Sequence, residues 1–161
     1  MSNTSLPPSD TSKRILDAVR EHRPDVILAH SLGSLVTYNA FSHPDAKEEQ
    51  VKRLLAKAKY VTLGSQIANP FVIRNLTNGR VLPLAVSFWH HLYNIHDSVF
   101  TAPIRLWDGA NFRQTETPFD VDGIADHAAE SYFSHRSTIE NVWRTIGAEA
   151  VGARAFGSAP T

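Results

Sequence analysis

The sequence predicts an α/β fold with a mostly parallel sheet flanked by helices, and three features predict it. In the stretch Asp25 to Phe41, the short apolar run Val26 to Ala29 reaches Ser31, after which Leu32, Leu35, Val36 and Ala40 recur at helical spacing. An amphipathic segment with Ile15, Leu16 and Val19 on one face leads directly into that run. Further on, Tyr60-Val-Thr-Leu63 followed by Gly64-Ser65 reads as a second strand ending at a turn. Strands that alternate with helical segments build parallel sheets, because parallel neighbours need a crossover connection.

The composition narrows the class. A chain of 161 residues buries about 70% of its unfolded surface, so one domain over residues 1–161 is expected, with 1–10 a flexible leader and 148–161 a flexible tail. Sixteen basic and sixteen acidic residues leave no net charge, which argues against nucleic acid or an acidic membrane as partner. Without cysteine there is no disulfide, thiolate metal site or cysteine nucleophile. Residues 1–10 are polar and carry two prolines, unlike a signal peptide. Nor do eighteen apolar residues run together. A soluble, cytoplasmic protein is therefore expected.

Taken in order, Asp10 or Thr11 caps the first helix and Arg23-Pro24 ends it. Val26 to Ala29 is β-branched at its start and too short for a helix, as suits a buried parallel strand. The helix after Ser31 runs to about His43-Pro44, and a further one over Lys47 to Lys59 turns Val51, Leu54, Leu55 and Ala58 inward. The stretch from Ile67 to Arg80 is punctuated by Pro70 and Gly79 and reads as a long loop with a short helix around Val72 to Leu76, either a pocket wall or a surface excursion. Phe88 to His96 is aromatic and β-favouring, and it ends at Asp97. Residues 103–122 lack a helical period, so extended structure or an irregular arm is expected there. Asp126 to Ile146 carries Tyr132, Phe133, Ile139, Val142 and Trp143 at helical spacings, a closing helix for the sheet.

A serine at a sharp strand-to-helix turn projects its hydroxyl clear of the sheet, beside the positive end of the helix dipole. Such a turn is expected to require small residues, here Ala29 and Gly33. Ala29-His30-Ser31-Leu32-Gly33 resembles the nucleophile elbow of the α/β-hydrolase superfamily, with alanine for the first glycine of G-x-S-x-G. An ordinary buried βα turn is the alternative for the pentapeptide alone. The resemblance extends downstream. Asn94-Ile95-His96-Asp97 is similar to the N-x-x-D ending of the family's acid strand, and Asp126-His127 followed by Tyr132-Phe133 is similar to its histidine loop.

The resemblance implies a serine nucleophile Ser31, a general base His127 and an orienting acid Asp97, in the family's chain order, with Asp108 the rival for the acid. It also implies that the Leu32 N–H holds the oxyanion. The family's second donor follows an earlier strand, yet the thirty residues before Ser31 contain neither its His-Gly mark nor the three strands that come first. The Gly64-Ser65-Gln66 turn is a substitute candidate for that donor, and His30, Ser65 and Gln66 are pocket candidates. A sheet that begins at the elbow strand has a bare apolar edge, so either a homodimer or larger assembly is expected to cover it, or the chain is a truncated or minimal α/β-hydrolase. His90, His91 and His96 do not read as a metal site, since adjacent histidines on a strand face opposite ways and no acidic companions surround them. No metal or cofactor is expected. The function implied is a carboxylesterase or lipase-type serine hydrolase acting on small or short-chain esters. The alternative is a non-catalytic fragment or binding module without a complete oxyanion hole.

Overall fold

A computed structural model describes residues 10–77, 79–99, 101–106, 111–120 and 126–157. Helix α1 (Asp10–His22) buries Leu16 and Val19. It stops at Arg23, whose left-handed φ of 46° brings its N–H to the Val19 carbonyl at 3.0 Å, and Pro24 bars any continuation. Strand β1 (Val26–His30) passes through Ser31 into α2 (Leu32–Ser42). A 3₁₀ turn (Pro44–Lys47) leads to α3 (Glu49–Leu55), which buries Val51 and Leu55. Strand β2 (Lys59–Leu63) is followed by a 3₁₀ turn (Gln66–Ala68) and α4 (Pro70–Leu76). Asn69 caps α4 by accepting the Phe71 N–H at 2.9 Å, and Pro70 sits where no N–H is needed. The chain then forms β3 (Phe88–Tyr93), β4 (Phe112–Glu116), α5 (Ala129–Ser134), α6 (Arg136–Thr138), a π turn (Ile139–Trp143) and α7 (Arg144–Gly157).

The four strands pair in sequence order and all in parallel, with Tyr60 beside Trp89 and Leu63 beside Leu92. Their alternation sorts the core into two layers. Tyr60 and Trp89 join Leu16, Val19, Tyr38, Phe41, Val51 and Leu55. Val61, Leu63 and Leu92 meet Tyr132 and Val142 instead. Helices thus cover both faces, as a parallel sheet requires.

Two expectations change and two are sharpened. β1 is the edge strand that a sheet beginning there would have, but the burial expected of its apolar run is partial, with Leu28 45% exposed. β3 ends at Tyr93, where the Thr101 hydroxyl accepts the Asn94 N–H at 2.9 Å and begins a loop. Of the two expectations for 103–122, extended structure holds at β4, whose polar sequence Phe-Arg-Gln-Thr-Glu gave no strand pattern of its own because an outer strand needs little apolar surface. The closing helix is interrupted at His135, whose ring accepts the Ser137 N–H at 3.1 Å, and it then runs past Gly147 to Gly157. Most of the expected leader, the end of the tail and Asp108 lie outside the described residues. Among the described residues no helix is long and apolar enough to cross a membrane.

His90 and His91 point to opposite layers. The His91 Nε2–H donates to the Ala102 carbonyl at 2.9 Å, and its Nδ1 accepts from the Thr62 hydroxyl at 3.0 Å. Burial pushes its pKa down to about 4. His90 is also held at about 4, first by burial and then by Arg113, with Glu149 opposing and Lys59 adding; its Nδ1 is buried without a partner. Both rings fold neutral, so the unfolded chain takes up the protons. Stability is therefore undiminished above pH 6.5 and is lost as pH falls from 6.5 toward 4. Urea midpoints across that window should fall steadily. His90→Leu should retain stability at neutral pH and remove about one of two protons from the slope.

Candidate active site

The turn between β1 and α2 sets one hydroxyl apart. Ser31 has φ 52° and ψ −130°, a conformation that side chains rarely adopt and that surrounding structure must hold in place. Its N–H donates to the Leu63 carbonyl at 3.0 Å, anchoring the turn to β2. Its carbonyl accepts the Ser34 N–H at 3.0 Å, and the Ser34 hydroxyl also reaches it, at 2.5 Å. Ser34 in turn meets the Ser65 hydroxyl at 2.6 Å, and Tyr60 donates to the Ser34 carbonyl at 3.0 Å. These buried bonds fasten the first turn of α2 to β2 and hold Ser31 in its strained backbone.

Ser31 Oγ lies 2.7 Å from His127 Nε2. On the other side of the ring, His127 Nδ1 lies 2.8 and 3.0 Å from the two Asp97 oxygens. A carboxylate only accepts, so Nδ1 carries the proton and Nε2 is free to accept from the serine. The Asp97 side chain is wholly buried, whereas His127 retains 15% exposure. The carboxylate accepts two further bonds, from the Tyr132 hydroxyl at 2.6 Å and the Val99 N–H at 2.8 Å. Burial, and next the bond to Asp97, push Tyr132 ionisation well above the ordinary tyrosine value, so its hydroxyl stays a donor. Three residues far apart in sequence are therefore gathered into one hydrogen-bonded chain.

The other candidate residues have different places. His30 donates from Nε2 to the His127 carbonyl at 2.8 Å, and the two rings lie 4.7 Å apart. Leu32 opens α2, so its N–H belongs to the first turn, where no intrahelical acceptor exists. Ser65 is fully buried and braces Ser34 while accepting the Ile67 N–H at 3.2 Å. Gln66 donates to the Val99 carbonyl at 3.0 Å, clamping the loop that carries Asp97. Ser65 and Gln66 thus support the site from beneath. Among the described residues, no three histidine, aspartate or glutamate side chains gather into a metal site.

Sequence reasoning gave no role to Tyr132 and missed the crowding at Gly64. Tyr132 falls within the histidine-loop resemblance and at a helical apolar position, and only the packed structure reveals its hydroxyl bond to Asp97. Gly64 reads as a turn glycine, yet its position is also crowded. With φ 53°, a Cβ there would lie 3.1 Å from Tyr132 Cε2 and 3.2 Å from His127 Cε1. Gly33 corrects the expectation in the opposite sense. It is helical, and a Cβ would meet nothing within 4 Å, so the turn does not require glycine there.

Thermal melts should separate the two glycines. Gly64→Ala should cost about 2 kcal/mol through a strained φ and contact with the His127 and Tyr132 rings. Gly33→Ala should be neutral or stabilising by about 0.5 kcal/mol. Comparison with protein-family models, with curated proteins and with solved structures finds no match to this chain.

Proposed function

We propose that the chain is a serine hydrolase of the α/β-hydrolase type, cleaving small or short-chain carboxylic esters through an acyl-enzyme. One observation carries the reading: the hydrogen-bonded chain from Ser31 Oγ through His127 to buried Asp97, at 2.7 and 2.8 Å. Ser31 Oγ forms a bond to the ester carbonyl carbon as its proton passes to His127 Nε2. The imidazolium is stabilised by the Asp97 carboxylate. The oxyanion finds the Leu32 N–H, a donor worth about 3 to 4 kcal/mol in such sites. Collapse breaks the carbon–oxygen bond to the leaving alcohol, which takes the proton from His127. Water then attacks the acyl group as His127 takes its proton, and the acid departs when that proton returns to Ser31 Oγ. Exposed Leu32 and Ile95, neighbours in sequence of Ser31 and Asp97, suit an apolar ester.

A strand of a second copy on the free edge of β1 belongs to the same proposal. Ser31 N–H and the Asp25 carbonyl both bond toward β2, so by alternation the backbones of Val26, Leu28 and His30 face outward. Apolar edges of this kind rarely stay bare. A parallel strand laid there would end beside Ser31, where a second oxyanion donor is needed.

Two experiments test the proposal. A fluorophosphonate should label Ser31 stoichiometrically, Ser31→Ala should abolish p-nitrophenyl ester turnover without changing the melt, and Asp97→Asn should lower kcat by about 10⁴-fold. A folded chain that is neither labelled nor active would instead be a binding module. For assembly, gel filtration should give a dimer or larger species. Leu28→Pro removes an outward N–H while leaving the β1–β2 bonds intact, so it should yield a folded monomer; a monomeric wild type would refute the covered edge.

A further inference from the structure

Apart from the Ser31 site, an open cleft of about 740 Å³ lies where the chain leaves the carboxyl ends of β2 and β3, a size typical of small-molecule sites. Its lining combines apolar Ile73, Val81 and Ala102 with Arg74 from α4, Arg80 from the segment after it and Arg105 from beyond β3. Among the described residues that line the cleft, none is acidic. Among the described residues these three guanidiniums have no carboxylate ion pair, as is also true of Arg14, Arg23, Arg113 and Arg144, so what sets the cleft apart is the gathering of three of them. In a chain without net charge, this is a local excess that a counter-anion would relieve.

The walls are fastened to the core. The Ala102 carbonyl accepts from buried His91 at 2.9 Å, and just beyond Val81 the Leu82 N–H donates to the Tyr38 hydroxyl at 2.8 Å. A ligand therefore meets a largely formed site, which lowers the ordering cost of binding. Guanidinium groups pair with carboxylate and phosphate oxygens through two parallel N–H bonds, and the apolar lining favours a hydrocarbon body beside the charged head.

We propose that this cleft binds an amphiphilic organic oxyanion, with its head on Arg74, Arg80 and Arg105 and its apolar body against Ile73, Val81 and Ala102. The site is independent of the esterase proposal, since it uses neither Ser31 nor His127.

Calorimetry on the full chain tests it with decanoate and decyl phosphate below their micelle concentrations, and with decanol and decyltrimethylammonium as controls. Both anions should bind saturably, one per chain, with affinity that falls as salt is raised, and the controls should bind at least tenfold more weakly. The tighter of the two anions identifies a carboxylate or a phosphate head. Because the arginines are exposed, Arg74→Gln/Arg105→Gln should melt like the wild type and lose at least tenfold in anion affinity. Ser31→Ala should bind as the wild type does. Equal binding of decanol, anion binding that survives the double substitution, or loss of binding in Ser31→Ala would each overturn the proposal.

Discussion

The arrangement around Ser31 depends on one buried charge. A carboxylate withdrawn from water is costly unless donors replace its hydration, and Asp97 receives them from His127, Tyr132 and the Val99 N–H. Those donors come from its own loop, from His127 two residues before α5 and from Tyr132 within α5. The C-terminal helical segment is thereby tied to the end of β3 by charge-assisted bonds as well as by the apolar layer of Val61, Leu63, Leu92 and Val142. The Asp97 loop is fixed separately. Asn94 donates to the Phe119 carbonyl at 2.7 Å and accepts the His96 N–H at 3.0 Å, while Thr101 donates to the Asn94 carbonyl at 2.7 Å. This explains the asparagine three residues before Asp97, which shapes the loop.

A second constraint is the backbone at Ser31. A positive φ on a residue with a side chain costs about 1 to 3 kcal/mol, and the turn is held by bonds to Leu63, Ser34 and, through Ser34, to Ser65 and Tyr60. The strain aims Oγ at His127 instead of along the sheet. His127 is held from the opposite side by His30, which reaches its carbonyl. The two residues at the strand-to-helix transition thus act together, Ser31 presenting its hydroxyl to the His127 ring and His30 holding the His127 backbone.

Both the Ser31 site and the arginine-lined cleft lie where chain leaves the carboxyl ends of the strands, as open α/β sheets dispose their ligand sites. Their electrostatics differ. Around Ser31 a single buried carboxylate is enclosed by hydrogen-bond donors, which fixes its partners in place. In the cleft the cations are exposed and unpaired among the described residues, which favours capture of an anion from solution.

Much of this protein was legible in the sequence wherever local chemistry decides the outcome. The apolar run Val26 to Ala29, the helical spacing after Ser31, the Arg23-Pro24 stop and the Tyr60 to Leu63 strand are near-neighbour patterns, and β1, α2, the end of α1 and β2 follow them. The order of Ser31, Asp97 and His127 was legible too, and the structure brings these three together. Other features depend on partners distant in sequence. β4 could be expected only as extended chain, its pairing hidden by its polar residues, because an outer strand draws its stability from backbone bonds to β3. The Tyr132 hydroxyl, the crowding at Gly64, the open space at Gly33 and the bracing role of Ser65 each depend on an element from another part of the chain. Local sequence determined which segments become strands and helices and that Ser31 stands at the turn between them. Tertiary structure decided what surrounds it, because burial, hydrogen-bond partners and free space arise only when distant segments pack.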